Sequence, residues 1–288
     1  NGELLKSQIY SYPHISACGL DRLMLIKKSG GVLPKDLKIN LRGLMALEYL
    51  LFEPNMLATC NEGVPGIKDW NAQTVIEKRK DRCELALVIS GQLANQAREL
   101  NSTWQTNLFH SNFIEMDHLT KSLTQIIQGM TNLEKIKDQK VIKPLGIHKD
   151  CTKLTCPEDM EHPWSNMSFR SLQTSLDTLK EIYTGKTDLV DGFGLNHYMQ
   201  SIGHGELADR FVSAIDTTLA SAKEAEMTGT MSDQIKTFDS VSCKDSTATE
   251  QPLCQLSKDF SDLARIFKVE ILTVLSLQIT SPASGDND

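Results

Sequence analysis

This sequence predicts an all-α protein of two helical-bundle domains, and three observations carry that expectation. Apolar residues recur three and four positions apart in several long segments, which is the stripe a helix needs on its buried side. No segment alternates apolar and polar residues convincingly enough to compete as a strand. Glycine, proline and short polar residues stand at the ends of the periodic segments, where helices stop and start. At 288 residues the chain exceeds the usual single-domain size, so two cores are expected.

The first expected helix is the run Leu41-Arg42-Gly43-Leu44-Met45-Ala46-Leu47-Glu48-Tyr49-Leu50-Leu51-Phe52. At about 100° per residue, Leu44, Met45, Glu48, Leu51 and Phe52 share one side, while Leu47 and Leu50 cover much of the rest. Such a helix should be buried nearly all round, and Glu48 is then a carboxylate without a polar face of its own. A buried carboxylate needs a cation, a set of donors or a metal, or it stays protonated. Two readings compete for Glu48: a structural ion pair with Arg42 or a distant arginine, and a ligand site, where perturbed carboxylates cluster.

Ala86, Ser90, Leu93, Ala97 and Leu100 mark the buried stripe of a second helix, and Leu119, Leu123, Ile126, Met130 and Leu133 that of a third, with Asp117 suited to its N-cap. Pro144-Leu145-Gly146 breaks the chain, and a linker is expected at about 139–164, dividing an N-terminal domain (1–140) from a C-terminal bundle (141–288). Leu172, Leu176, Leu179 and Tyr183 follow, with Ser168 as N-cap and Gly185 as C-terminal stop. Leu207, Phe211, Ile215 and Leu219 stripe the next helix. Region 226–252 is rich in Thr, Ser and Asp and reads as a long surface loop. Leu256, Phe260, Leu263, Phe267, Ile271 and Val274 close the series.

Charge and composition exclude some classes. Thirty Lys and Arg against 37 Asp and Glu leave a net charge of -7, and no basic cluster with interleaved aromatics marks a nucleic-acid surface. The densest apolar stretch, 266–277, is interrupted by Lys268 and Glu270 and is too short to cross a bilayer. The first six residues lack the pattern of a signal peptide, which a processed chain would lack as well.

Seven cysteines include two close pairs in polar surroundings, Cys151/Cys156 and Cys243/Cys254, which read as local disulfides of an oxidising compartment. At most two of Cys18, Cys60 and Cys83 can pair within the chain, so one thiol is expected free. A zinc site at Cys151, Cys156, His148 and His162 has suitable residue types but a poor spacing.

Ser11-Tyr12-Pro13 with Cys18-Gly19-Leu20-Asp21-Arg22, then the run from Arg42 to Phe52, resembles the imelysin family of bacterial envelope proteins. The later motifs keep that family's order: Arg82-Cys83-Glu84-Leu85 opening a long helix that ends near Trp104, Lys143-Pro144-Leu145-Gly146, Glu161-His162-Pro163-Trp164-Ser165-Asn166-Met167-Ser168-Phe169, and Ile182-Tyr183-Thr184-Gly185. The resemblance spans about 10–277. It implies two all-α domains with a site between them, in the periplasm or on the outer membrane of a Gram-negative bacterium, often under iron regulation. It also implies a signal or lipoprotein peptide and further helices ahead of the Tyr-Pro motif, with an upstream lipid anchor as one form.

The family carries a peptidase label and a Gly-x-His-x-x-Glu motif, whose His and Glu could share a metal. Here Met45 stands at the histidine's place in Gly43-x-Met45-x-x-Glu48, and a thioether suits Cu(I) or haem better than zinc or ferric iron. Ser165 and Ser168, at the start of a helix, either cap it or present outward-facing hydroxyls to an anion or to Glu48. The leading expectation is a non-enzymatic binding protein for iron or haem uptake. Its site would comprise Arg42, Glu48, Glu161, Ser165 and Ser168, and its partners would be a small ligand or envelope uptake proteins, with no nucleic acid. The alternative is a metallopeptidase whose metal uses Glu48, the one ligand candidate in the motif, with ligands from the second domain.

Overall fold

The computed structural model of the chain describes residues 8–34, 37–106, 109–244 and 251–275. The fold is all-α, as the periodicity predicts; among the described residues the one departure is an isolated bridge between Lys186 and Asp191. Two compact units divide the chain, Asn1–Glu115 and Met116–Asp288. That division falls ahead of the expected 140/141. Ile127, Met130 and Leu133 already belong to the apolar core of the second unit, and so do Val141, Leu145 and Met160 of the segment expected to link two domains, which therefore packs into one of them.

The first unit contains α1 (Ala17–Lys28), α2 (Gly43–Phe52), the short α3 (Ile67–Asn71), α4 (Val75–Thr106) and α5 (Phe109–Ile114). Ser16 caps α1 by accepting from the Gly19 amide at 3.2 Å. Thr74 and Glu77 form a reciprocal capping box, with Thr74 N to Glu77 Oε2 at 2.9 Å and Glu77 N to Thr74 Oγ1 at 3.3 Å. The box starts α4 ahead of Arg82. The core joins Leu20, Leu23 and Met24 of α1 to Met45, Ala46, Tyr49 and Leu50 of α2, Trp70 of α3, and Leu85, Ala86 and Ile89 of α4.

Two expectations need correction here. Helix α2 is not buried all round: Leu44, Leu51 and Phe52 are exposed, and the buried arc runs through Met45, Ala46, Glu48, Tyr49 and Leu50. The stripe on α4 also ends early, since Ser90 and Leu93 are half-buried and Ala97 and Leu100 are exposed. Helices α1 and α2 have 12 and 10 residues and α4 has 32; at 1.5 Å per residue, partners of about 15–18 Å cannot cover a helix of about 48 Å.

The second unit runs through α6 (Leu119–Met130), α7 (Asn132–Lys135) leading into a π-helical turn (Ile136–Ile142), α8 (Ser168–Thr184), α9 (Leu195–Ser201), α10 (Gly205–Met227), α11 (Met231–Ile235), α12 (Ser240–Lys244) and α13 (Pro252–Arg265), which continues as a π turn (Ile266–Ile271). Helix α10 lies at its centre, packed against α8, α9 and α13. Phe211 of α10 meets Tyr183 edge-on at 4.7 Å between ring centroids and Phe267 at 5.6 Å. Leu172, Leu176, Leu179 and Tyr183 are all buried, as the α8 stripe predicts.

Local signals are partly corrected. Gly185 ends α8 in the left-handed region (φ 70°), its amide bonded to the Glu181 carbonyl at 2.8 Å; a Cβ there would meet the Phe193 carbonyl carbon at 2.5 Å, so glycine is required. Asp117 is not an N-cap, because a 3₁₀ turn (Met116–His118) precedes α6 and His118 takes the cap position. Region 226–252 is not one surface loop: α11, α12 and the turn between them bury Met231, Ile235, Phe238 and Cys243 in the core. Asp245 and Ser246 of that region lie outside the described residues, as do the N-terminal stretch 1–6 and Leu277.

Disulfides join Cys151 to Cys156 and Cys243 to Cys254, as the spacing suggests, and a third joins Cys18 to Cys60, leaving Cys83 free and exposed. With both thiols of the first pair oxidised, the zinc reading of that cluster falls. Among the described residues no helix is long and apolar enough to cross a membrane.

Candidate functional site

The sequence-picked residues fall into two groups, Arg42 and Glu48 in the first unit and Glu161, Ser165 and Ser168 in the second. Arg42 is the extended residue before α2 (φ -144°, ψ -177°), and its carbonyl accepts from Ser11 Oγ at 3.1 Å. Gly43 then turns the chain at φ +80°, where a Cβ would meet the Ile9 carbonyl oxygen at 2.5 Å; the motif glycine is there because nothing larger fits. From that turn α2 carries Met45 and Glu48 inward, 1 % and 7 % exposed. The thioether that replaces the motif histidine is thus a core side chain.

Beneath Glu48's helix lies a polar network that sequence reasoning assigned no role. Asp21 is fully buried and accepts from Tyr49 Oη (2.7 Å), the Thr59 amide (2.7 Å) and Thr59 Oγ1 (3.0 Å). Tyr49 Oη in turn accepts from Arg82 Nη2 at 3.4 Å. Burial, then the charge of Asp21, pushes the Tyr49 phenol well above its ordinary value, so it stays a donor. Arg82, fully buried, also donates to the Leu57 carbonyl (2.9 Å) and pairs with Glu53 Oε2 (3.3 Å), its guanidinium lying over the rings of Tyr49 (5.0 Å) and Trp70 (5.3 Å). The signal was present: Arg82 occupies the core stripe 82, 85, 86, 89, as Asp21 does among Leu20, Leu23 and Met24.

In the second unit the structure brings Glu161 and Ser168 together. Ser168 is the first residue of α8, with Met167 at the cap, and its buried hydroxyl donates to the Glu161 carbonyl. It therefore faces inward, against the expected outward-facing hydroxyl, because that carbonyl would otherwise be buried without a donor. Ser165 is half-buried in the intervening turn. Two non-glycine residues of this turn, His162 (φ 58°) and Asn166 (φ 59°), adopt left-handed backbone, a local strain that tends to be kept at sites.

The Glu161 carboxylate is 1 % exposed. Burial pushes it up to about 7, opposed by the Ser171 hydroxyl and the charge of His162. Lys140, on the π turn, places Nζ 2.6 Å from Oε1, and His162 Nε2 lies 3.8 Å from that oxygen. The arrangement can hold or release a proton near neutrality and can exchange an ion-pair partner; π turns inserted in helices are frequent at such places. Among the described residues no group of three or more His, Cys, Asp or Glu side chains is disposed to hold a metal.

Comparison with known proteins agrees with the motif order. No curated protein is significantly similar. A solved structure, described as an iron-regulated protein A precursor from Parabacteroides distasonis ATCC 8503, superposes with a TM-score of 0.55 at 15% identity, covering 92% of this chain and 75% of that one, which speaks for the fold. The profile of the family described as Imelysin (Peptidase_M75) matches residues 3–252, most of the chain, and the chain therefore belongs to the imelysin family.

Proposed function

We propose that this chain is a non-enzymatic binding protein exported to the bacterial envelope, where it serves iron or haem uptake. The observation that carries the reading is Met45: at the motif position where a metal-binding imidazole would stand, the chain has a thioether packed into the core of α2, 1 % exposed. A helix that keeps the carboxylate and loses the imidazole suits ligand recognition better than activation of water. Glu161 supports it, as a buried, readily protonated carboxylate beside Lys140 and His162. The iron-regulated description of the structural relative points the same way.

The test is elemental analysis and absorption spectroscopy of protein purified without chelator or affinity metal, followed by titration with ferric citrate and haemin. Binding of either that Glu48→Gln or Glu161→Gln weakens at least tenfold, with no cleavage of a peptide library, is expected. Stoichiometric zinc lost in Glu48→Gln, together with peptide cleavage, would establish the metallopeptidase reading instead.

A further inference from the structure

Helices α8, α9 and α10, with the loop after Gly185, enclose a cleft of about 830 Å³, whose lining includes none of Arg42, Glu48, Glu161, Ser165 or Ser168. Four exposed carboxylates line it: Asp177 and Glu181 on one face of α8, Asp188 on the loop and Asp209 on α10. None of them has an ion-pair or hydrogen-bond partner among the described residues. Two lysines share the lining, but each is engaged by a carboxylate outside it, Lys180 by Asp216 at 2.6 Å and Lys186 by Asp191 at 3.0 Å. The cleft is therefore acidic in effect.

Two further observations stand beside that charge. Behind the α8–α10 wall, the wholly buried Tyr183 has a hydroxyl with no hydrogen-bond partner, close enough to cleft-lining Asp209 for that carboxylate, after burial itself, to push the phenol up. Asn196 Oδ1, from α9, is likewise buried and without a donor. At the rim, the same loop holds Leu189 and Phe193 out at 94 % and 91 % exposure, with Val190 between them also exposed. Large apolar side chains so fully presented beside unpartnered acceptors mark an interaction surface rather than a solvated loop. The loop is held in place by the Gly185 turn and the Lys186–Asp191 bridge.

We infer that this cleft and its rim dock a basic, amphipathic segment of a partner protein, lysines or arginines entering among Asp177, Glu181, Asp188 and Asp209 while apolar residues cover Leu189 and Phe193. Charge complementarity selects the partner: a peptide of lysine and leucine satisfies both halves, a simple polycation only one, and an anionic bilayer is repelled by the carboxylates. The site is separate from the one under the proposed function, so either stands if the other fails.

The probe is a fluorescein-labelled twelve-residue amphipathic peptide of lysine and leucine, titrated with the full chain by fluorescence anisotropy. Saturable binding is expected, weakened at least tenfold by Asp177→Asn/Asp209→Asn and, separately, by Leu189→Ser/Phe193→Ser, and reduced by salt. Glu181→Gln/Asp188→Asn repeats the charge test should the first pair disturb folding, as read by circular dichroism. Affinities within twofold of the parent in both variant classes would overturn the inference. So would equally tight binding of spermine indifferent to the rim variant, which makes this a small-polycation site, and so would adsorption to phosphatidylcholine vesicles through Leu189 and Phe193 with the carboxylates immaterial.

Discussion

Replacing Arg82 by Met isolates the contribution of the buried network under α2, because the thioether side chain fills much of the guanidinium's space without its charge. The substitution removes the donor to the Leu57 carbonyl at 2.9 Å, the ion pair with Glu53 at 3.3 Å and the longer contact to Tyr49 Oη at 3.4 Å. It also removes the stacking on Tyr49 and Trp70. A charge-assisted hydrogen bond is worth about 1.5–3 kcal/mol and a desolvated cation–π contact about 2, but these do not add. The dominant consequence is the buried Glu53 carboxylate left without its cation, for which losses of about 3–5 kcal/mol are typical. Urea unfolding followed by tryptophan fluorescence reads this, since Trp70 stacks on the changed residue. Pairing the substitution with Glu53→Gln should recover part of the loss, because the stranded charge is gone. A loss below about 1 kcal/mol, or a double variant at least as unstable as the sum of the singles, would refute the assignment of Arg82 as the keystone of this network.

Breaking Cys18–Cys60, which spans 42 residues, by double substitution with serine should cost about 4 kcal/mol by loop entropy, against about 2 for Cys151–Cys156, which spans 5; equal or reversed losses in urea unfolding would show that native contacts, not chain closure, set the effect. Phe211→Ala should destabilise the second unit by about 3–5 kcal/mol, since the ring is fully buried between Tyr183 and Phe267; a loss under about 1 kcal/mol in the same assay would mean the site collapses around the cavity. For Glu161 the folded carboxyl is raised to about 7 from an ordinary value of 4.5, so the native state holds the proton more tightly than the unfolded chain. Its contribution is fully present below the unfolded value and is lost as pH rises through about 7. Thermal melts from pH 5 to 8 should show the parent losing stability relative to Glu161→Gln; parallel profiles would contradict the raised value.

The helices were legible because their buried stripes obey a single period: on α8, Leu172, Leu176, Leu179 and Tyr183 are each in the core. What periodicity does not carry is how much of a stripe its partners can reach, and α4 outruns α1 and α2, so Ala97 and Leu100 stay in solvent. Composition misled at 226–252, where Met231, Ile235, Phe238 and Cys243 are too sparse among polar neighbours to show a stripe, yet the Cys243–Cys254 bridge and the core draw them in.

The candidate site was legible in a different way. Glu48 stands out because its residue type conflicts with its surroundings, a conflict visible in one dimension, whereas Gly43 and Glu161 enter only through the motifs that resemble the family. The Asp21–Tyr49–Arg82–Glu53 network shows only in part, since Asp21 and Arg82 stand as charges on apolar stripes but their partners are fixed only when α1, α2 and α4 meet. Its position gives the motif helix a fixed seat: Tyr49, one residue after Glu48, is bonded to Asp21 on one side and Arg82 on the other, and Asp21 is bonded to Thr59, adjacent to the Cys18–Cys60 bridge. The helix that carries Glu48 is therefore held by a network that the sequence alone does not assemble. If Glu48 binds a ligand as proposed, substitutions at Asp21 or Arg82 should weaken that binding through the position of α2, and haemin or ferric citrate titration of Asp21→Asn giving the parent affinity would contradict this.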